Sequence, residues 1–324
     1  MIICMEITQK LYQMFVLGCK GNNLETALNK GLGGVIFFKE DILSIEDFQN
    51  LIKNLKKHAV IMPFMSIDQE GGRVERTENI WGKKRYLSAK FAYQNGIEFL
   101  KKQTEMICDE LNGYGINLNY APCCDTNTNP DNPIIGERAF SDNPSEVAKA
   151  AEIVINVYNS NGIIPCLKHF PGHGDADCDS HLTLPKIDLT LDEMEKTHIK
   201  PFKMLIDKGL ADIVMVAHLY CTCFDKEVIP TSLSKNAINY LREFYDGVIC
   251  SDDMIMSALN NYENACETAI RAGVNMFLYR NSDDETIEII EKIAKKAEND
   301  KTLQNCIEVS YEKIIKLKQK YGLI

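Results

Sequence analysis

The chain has 324 residues, 45% of them hydrophobic and 25% charged, with a formal net charge of −10. That length allows one large core or two modest ones, and the composition is too apolar for a disordered chain. Acidic and basic residues are interspersed, so a nucleic acid or an anionic membrane surface is excluded as a natural partner.

No apolar run approaches the roughly 18–20 residues of a membrane span, and the longest covers only 213–217. The N-terminus lacks the basic and apolar segments of a secretory signal. The twelve cysteines sit mostly in apolar, strand-like segments and read as small buried hydrophobes of a reducing cytoplasm. Cys123-Cys124 and Cys221-Thr-Cys223 do not form the paired framework of a zinc site.

Short β-branched runs alternate with longer helical patterns. Strands are expected over 13–18, 34–38, 63–68, 117–120, 165–168, 213–218, 248–251 and 275–278. Helices are expected over 45–58, 88–112, 144–161, 191–208, 234–244, 262–272 and 284–299, with a last one over 302–320. Continuous apolar strands between helices imply a parallel sheet covered by helices. Eight such units predict a (β/α)8 TIM-like barrel and one domain over 1–324. The rival is a doubly wound open sheet, but its Gly-rich strand-to-helix fingerprint is absent.

The polar residues gather at expected strand ends: Asp68, Asp125 and Arg138, Lys168 and His169, His218, and Asp252. In a barrel these ends share one rim, where active sites form. In Ile67-Asp-Gln-Glu-Gly-Gly-Arg-Val-Glu-Arg76, Asp68 suits the hydroxyls of a polyol and Arg76 a substrate oxygen. Glu70 and Arg73 read as structural. Arg138, in the long loop after Asp125, suits bidentate recognition of an oxygen pair, and Asp125 reads as a buried orienting residue.

The densest stretch is Lys168-His-Phe-Pro-Gly-His-Gly-Asp-Ala-Asp-Cys-Asp-Ser-His181, with three of the chain's six histidines. His169, His173 and Asp175 raise the possibility of a metallohydrolase. Pro171, Gly172 and Gly174 break any helical ligand face, and no HExxH pattern accompanies them. The glycines instead suggest a yielding loop. Asp179 beside His181 matches a carboxylate orienting an imidazole for proton transfer. In Gly247-Val-Ile-Cys-Ser-Asp252-Asp-Met, strand alternation allows one aspartate to face the mouth, and Asp252 is the choice.

Taken together, these motifs resemble the bacterial β-N-acetylhexosaminidases of glycoside hydrolase family 3. The resemblance covers nearly the whole chain and is carried by Ile67-Asp-Gln-Glu-Gly-Gly-Arg, Lys168-His-Phe-Pro-Gly-His-Gly, Asp179-Ser-His-Leu and Ser251-Asp-Asp-Met. It implies a single-domain TIM-like barrel that removes terminal β-linked N-acetylglucosamine from cell-wall muropeptides with retention. Asp252 would be the nucleophile, and His181 with Asp179 the acid/base dyad. Asp68, Arg76, Arg138, Lys168 and His169 would bind the sugar, and neither metal nor organic cofactor would be needed. Ala176, Ala139, Cys123-Cys124 and Ser257 depart from the usual pattern and bear on substrate preference. Phosphorolysis, a β-glucosidase of the same family and a catalytically silent sugar-binding barrel are the other readings.

Overall fold

The computed structural model describes residues 6–176 and 184–324. Eight parallel strands close into a barrel. They are β1 (Phe15–Lys20), β2 (Gly34–Phe37), β3 (Phe64–Ile67), β4 (Leu118–Asn119), β5 (Ile164–Phe170), β6 (Ile213–Val216), β7 (Val248–Asp253) and β8 (Met276–Asn281). Each pairs with its neighbours in chain order, and β8 closes on β1. Two short segments outside the barrel, Lys186–Ile187 and Tyr220–Cys221, pair with each other.

The strands are largely apolar up to their C-terminal ends because both faces are covered: every residue of β2, β3, β5 and β6 is buried. The helices cover them with one face each. Ile45–His58 turns Phe48, Ile52 and Leu55 inward and is capped by the Ser44 hydroxyl, which accepts from the Asp47 N–H at 3.1 Å. Its first turn holds Glu46 and Asp47 and its last turn Lys56, Lys57 and His58, matching the helix dipole. Each fully buried Phe or Leu in this interface contributes about 1.5–3 kcal/mol by removal from water.

Two expected helices are each divided. The 88–112 pattern becomes Ala89–Gln94 and Ile97–Tyr114, broken at Gly96 with φ 100°, a backbone region glycine enters without steric cost. The 191–208 pattern becomes Leu191–Lys196 and Lys200–Asp207. Pro201 sits in the first turn of the second helix, where its missing N–H costs nothing.

The barrel floor is closed by the C-terminal helix Lys301–Lys320. Lys318, fully buried, donates to Gln13 Oε1 at 2.8 Å and the Gly33 carbonyl at 2.9 Å and lies 4.9 Å from the centre of the Phe64 ring. At the opposite end the strands open into a cavity.

Candidate active site

The cavity, about 330 Å³, lies at the C-terminal ends of the strands. Its walls owe their polarity to two irregularities in the barrel. Between β5 and β6, the register passes from Leu167↔Val214 to Phe170↔Val216. Three residues on β5 thus span two on β6, a bulge that breaks the alternation of side chains. Consecutive Lys168 and His169 both line the cavity. Between β7 and β8 the register passes from Cys250↔Met276 to Asp253↔Leu278. A second bulge results, and Asp252 and Asp253 both line the cavity. The expectation that only one aspartate faces the mouth is corrected by this bulge.

The loops after β3 and β4 supply Asp68, Glu70, Arg76 and Arg138 to the same cavity. Its inner end is a network of ion pairs. The Lys168 ammonium, 2% exposed, lies 2.7 Å from Asp68 Oδ1 and 2.5 Å from Glu70 Oε1. Arg138 grips Glu70 with two parallel bonds, Nε to Oε2 at 2.9 Å and Nη2 to Oε1 at 2.8 Å. Arg76 Nη2 stands 3.6 Å from Asp68 Oδ2.

Burial alone would raise both carboxyls. Lys168 and then Arg76 override it at Asp68, and Arg138 and Lys168 at Glu70, so both are held below the usual carboxylate range. Lys168 is likewise raised: burial opposes its charge, but Asp68 and Glu70 outweigh it.

Asp125 lies behind this wall, fully buried. Its Oδ2 is 2.7 Å from His169 Nδ1, and its Oδ1 accepts from the His173 backbone N–H at 2.6 Å. Arg138 Nη2 is 3.2 Å from His169 Nε2. A guanidinium only donates, so Nε2 accepts and the proton sits on Nδ1, directed at Asp125. Burial would raise the Asp125 carboxyl, but the His169 imidazole and the His173 N–H hold it low.

Cys123 Sγ also donates to Asp125 Oδ2 at 3.1 Å. The possible ligand atoms of Cys123, Asp125 and His169 lie within 4.8 Å of one another. Burial and then Asp125 push the Cys123 thiol well up. A cation there would displace two shared protons and turn an imidazole N–H against Arg138. The trio fits a hydrogen-bonded brace for His169 and does not fit a metal centre.

Of the residues singled out in the sequence, Asp68, Arg76, Arg138, Lys168, His169 and Asp252 line the cavity together. Asp179 and His181 lie outside the described residues. Asp125 orients His169 from behind. His218 does not join the rim: it is fully buried, 2.7 Å from Ser232 Oγ and 3.2 Å from the Asp253 carbonyl.

Glu70, read from sequence as structural, is the carboxylate shared by Lys168 and Arg138, and it lines the cavity itself. Arg280 was not anticipated. It follows Leu278 by two residues on β8, so the alternation of a longer strand would have brought it to the cavity.

Asp253 is bound by Arg280 Nε at 3.0 Å and by the backbone N–H groups of Ile255 and Arg280. Burial still leaves its carboxyl raised. Asp252 Oδ1 accepts from the Asp253 N–H at 2.8 Å, which fixes one of its oxygens.

Two of the loop glycines sit in close contact with their surroundings. A Cβ on Gly174 would fall 1.7 Å from the Thr126 carbonyl oxygen, and one on Gly172 2.5 Å from His198 Cβ. These glycines permit tight packing of the described part of the loop.

The family described as Glycosyl hydrolase family 3 N terminal domain matches residues 6–317. The chain belongs to this family of glycoside hydrolases. It is 30% identical over 321 residues to Beta-hexosaminidase A of Pseudoalteromonas piscicida, covering 89% of this chain and 53% of that protein. It is 30% identical over 272 residues to the Beta-hexosaminidase of Psychromonas ingrahamii, covering 82% of this chain and 80% of that one. A family 3 beta-N-acetylglucosaminidase from Paenibacillus superposes with a TM-score of 0.91 at 27% identity, over 99% of this chain and 63% of that one. The chain thus spans about half the length of the Pseudoalteromonas relative and under two thirds of the Paenibacillus structure.

Proposed function

We propose that this chain is a retaining exo-β-N-acetylglucosaminidase acting as one catalytic barrel over residues 1–324. The observation that carries the reading is the placement of Asp252, at the end of β7, in the same cavity as Asp68, Arg76, Arg138, Lys168 and His169. Asp68 and Glu70 are engaged by Lys168, Arg76 and Arg138, and Asp253 by Arg280 and two N–H groups. Asp252 faces the same cavity with one oxygen fixed by a backbone N–H. Asp252 serves as the nucleophile. Asp68, Arg76, Arg138, Lys168 and His169 hold the terminal sugar through its hydroxyls, which suit a wall whose own charges are already balanced.

The chemistry then needs one proton donor. Asp252 attacks the anomeric carbon, and the bond to the leaving oxygen breaks as His181 gives that oxygen its proton. Water next attacks the same carbon, gives a proton to His181 and releases Asp252. An imidazole has a pKa near 6.5 and is poised for both steps near neutral pH. Asp179 orients the ring and stabilises its cation.

Cell-wall muropeptides are the proposed substrate class, on the strength of the motif resemblance. The cytoplasm is the proposed compartment, supported by ten free cysteines among the described residues.

Purified protein should release 4-nitrophenol from the β-N-acetylglucosaminide far faster than from the matched glucoside. The sugar product should be free N-acetylglucosamine even in excess phosphate, and a chelator should not slow it. Asp252→Asn should lose at least ~10³-fold in kcat, the scale of removing a covalent nucleophile, while keeping the wild-type circular dichroism spectrum. Undiminished turnover by that variant would falsify the nucleophile assignment. His181→Ala should slow poor leaving groups most, because only those need protonation.

A further inference from the structure

The backbone ladder between β6 and β7 ends one residue before Asp252. Its last pair is Val216↔Ser251. The Ala217 N–H that follows donates to the Phe170 carbonyl of β5 instead, at 2.9 Å. Past Ser251, side chains take over from the ladder. On the β8 side, the Ser251 hydroxyl accepts from the Leu278 N–H at 3.2 Å, and Asp253 Oδ1 accepts from the Arg280 N–H at 3.3 Å. On the β6 side the hold comes from His218, whose Nε2 lies 3.2 Å from the Asp253 carbonyl oxygen. A carbonyl only accepts, so Nε2 carries a proton, and Nδ1 meets the Ser232 hydroxyl at 2.7 Å. Ser232 is fixed in turn by its neighbour. Thr231 donates its N–H to the Leu219 carbonyl at 2.7 Å and its hydroxyl to the Ala217 carbonyl at 2.8 Å. His218, Thr231 and Ser232 are all buried, and a buried imidazole with a partner at each nitrogen holds one orientation. Asp253 is thus gripped from both neighbouring strands, and its own N–H is the group that fixes Asp252 Oδ1 at 2.8 Å.

We infer that His218, backed by Ser232, is a positioning residue for the nucleophile: it pins the β7 bulge through the Asp253 carbonyl and so aims the Asp252 carboxylate. The inference rests on the reading of Asp252 as nucleophile. His218 acts through Asp253 from behind the cavity wall. The competing role is a stabilising one, in which the imidazole only satisfies buried polar groups. Its loss would then lower stability and leave the chemistry of Asp252 alone.

The test reads the nucleophile directly. In the 5-fluoro derivative of N-acetyl-β-glucosaminyl fluoride, the Asp252 carboxylate bonds to the anomeric carbon as fluoride leaves, with no proton needed from His181. The ring fluorine slows hydrolysis of the ester, so labelling is followed by intact mass and located by peptide mapping. The wild-type protein should be labelled on Asp252. His218→Leu should be labelled on the order of 10²-fold more slowly, the scale of an ångström of misplacement. Its kcat/KM for the 4-nitrophenyl glucosaminide should fall by the same factor. Its inhibition constant for free N-acetylglucosamine should move by less than about twofold, because the sugar-binding wall is untouched. His218→Gln, which can place an amide N–H near the position of Nε2, should regain most of the rate. Ser232→Ala should slow labelling about fivefold, the scale of one neutral hydrogen bond. Labelling of His218→Leu at the wild-type rate overturns the inference. So does a loss of N-acetylglucosamine binding as large as the loss of rate, or a His218→Gln no faster than His218→Leu. Should His218→Leu not fold, Ser232→Ala decides alone, and its labelling at the wild-type rate overturns the inference. A wild-type protein labelled at another residue, or neither labelled nor active, sinks the reading of Asp252 itself and this inference with it.

Discussion

Glu70 shows how much one side chain can organise. It accepts two bonds from Arg138 and one from Lys168 in a nearly dry setting, and its pair with Lys168 is 2.5 Å long. Removing its charge leaves two buried cations with too few partners, the costly way to break a buried network. Glu70→Gln should therefore lower stability by about 3–5 kcal/mol in urea unfolding. It should also raise KM for the aryl glucosaminide more than it lowers kcat, because Arg138 and Lys168 lose their aim. This role was only half legible in the sequence. Asp68 directly follows an apolar strand, a position that reads as functional. Glu70 lies in the loop beyond, next to two glycines, where an acidic residue reads equally well as a solvated turn. Its partners lie 68 residues away at Arg138 and 98 away at Lys168, and no local pattern announces such pairs.

At the scale of elements, the alternation of strand and helix was readable because parallel strands buried on both faces carry continuous apolar runs. The 45–58 helix was expected and observed with the same bounds. Other boundaries moved where local chemistry intervened, as at Gly96 and before Pro201. The bulges in β5 and β7 were not readable, because the period-two rule assumes an unbroken ladder. They change the outcome at the site, where each strand presents two neighbouring polar side chains in place of one.

The loop after β5 carries a signal with a second physical cause. Its glycines suggested freedom, yet Gly174 is held against the Thr126 carbonyl. Gly174→Ala should force the two backbones apart and cost about 1–3 kcal/mol, as overpacking does. Its KM for the aryl substrate should rise as well, since His173 next to it lines the cavity. Thermal melting together with initial rates would show whether both effects occur.

Across the whole molecule, the barrel is closed twice, by strand pairing between β1 and β8 and by the C-terminal helix under the floor. Lys318 makes the second closure, reaching Gln13 and Gly33 from the far end of the chain. Burial pushes its ammonium down from 10.5 to about 7. In the unfolded chain the group regains its ordinary value. Between these two values the unfolded state binds the extra proton, so this residue makes stability rise with pH from about 7 to about 10.5 and contributes no slope outside that window. The effect over the full window is roughly 3–5 kcal/mol. Lys318→Met keeps most of the volume and cannot titrate. The gap in urea unfolding free energy, wild type minus variant, should therefore widen in favour of the wild type between pH 7 and pH 10. A gap that stays constant over that range would show that Lys318 is charged in the folded protein throughout.

The paired charges at the inner end of the cavity have one more consequence. In open water, a sugar that develops charge during bond breaking must wait for solvent molecules to turn toward it, and that turning is much of the barrier. Asp68, Glu70, Arg138 and Lys168 have already turned, toward one another, and their packing gives them little room to turn again. The wall they form is in effect a frozen solvent. In the proposed reaction its polarisation is set when the chain folds, and the cost of arranging it falls on folding instead of on each turnover.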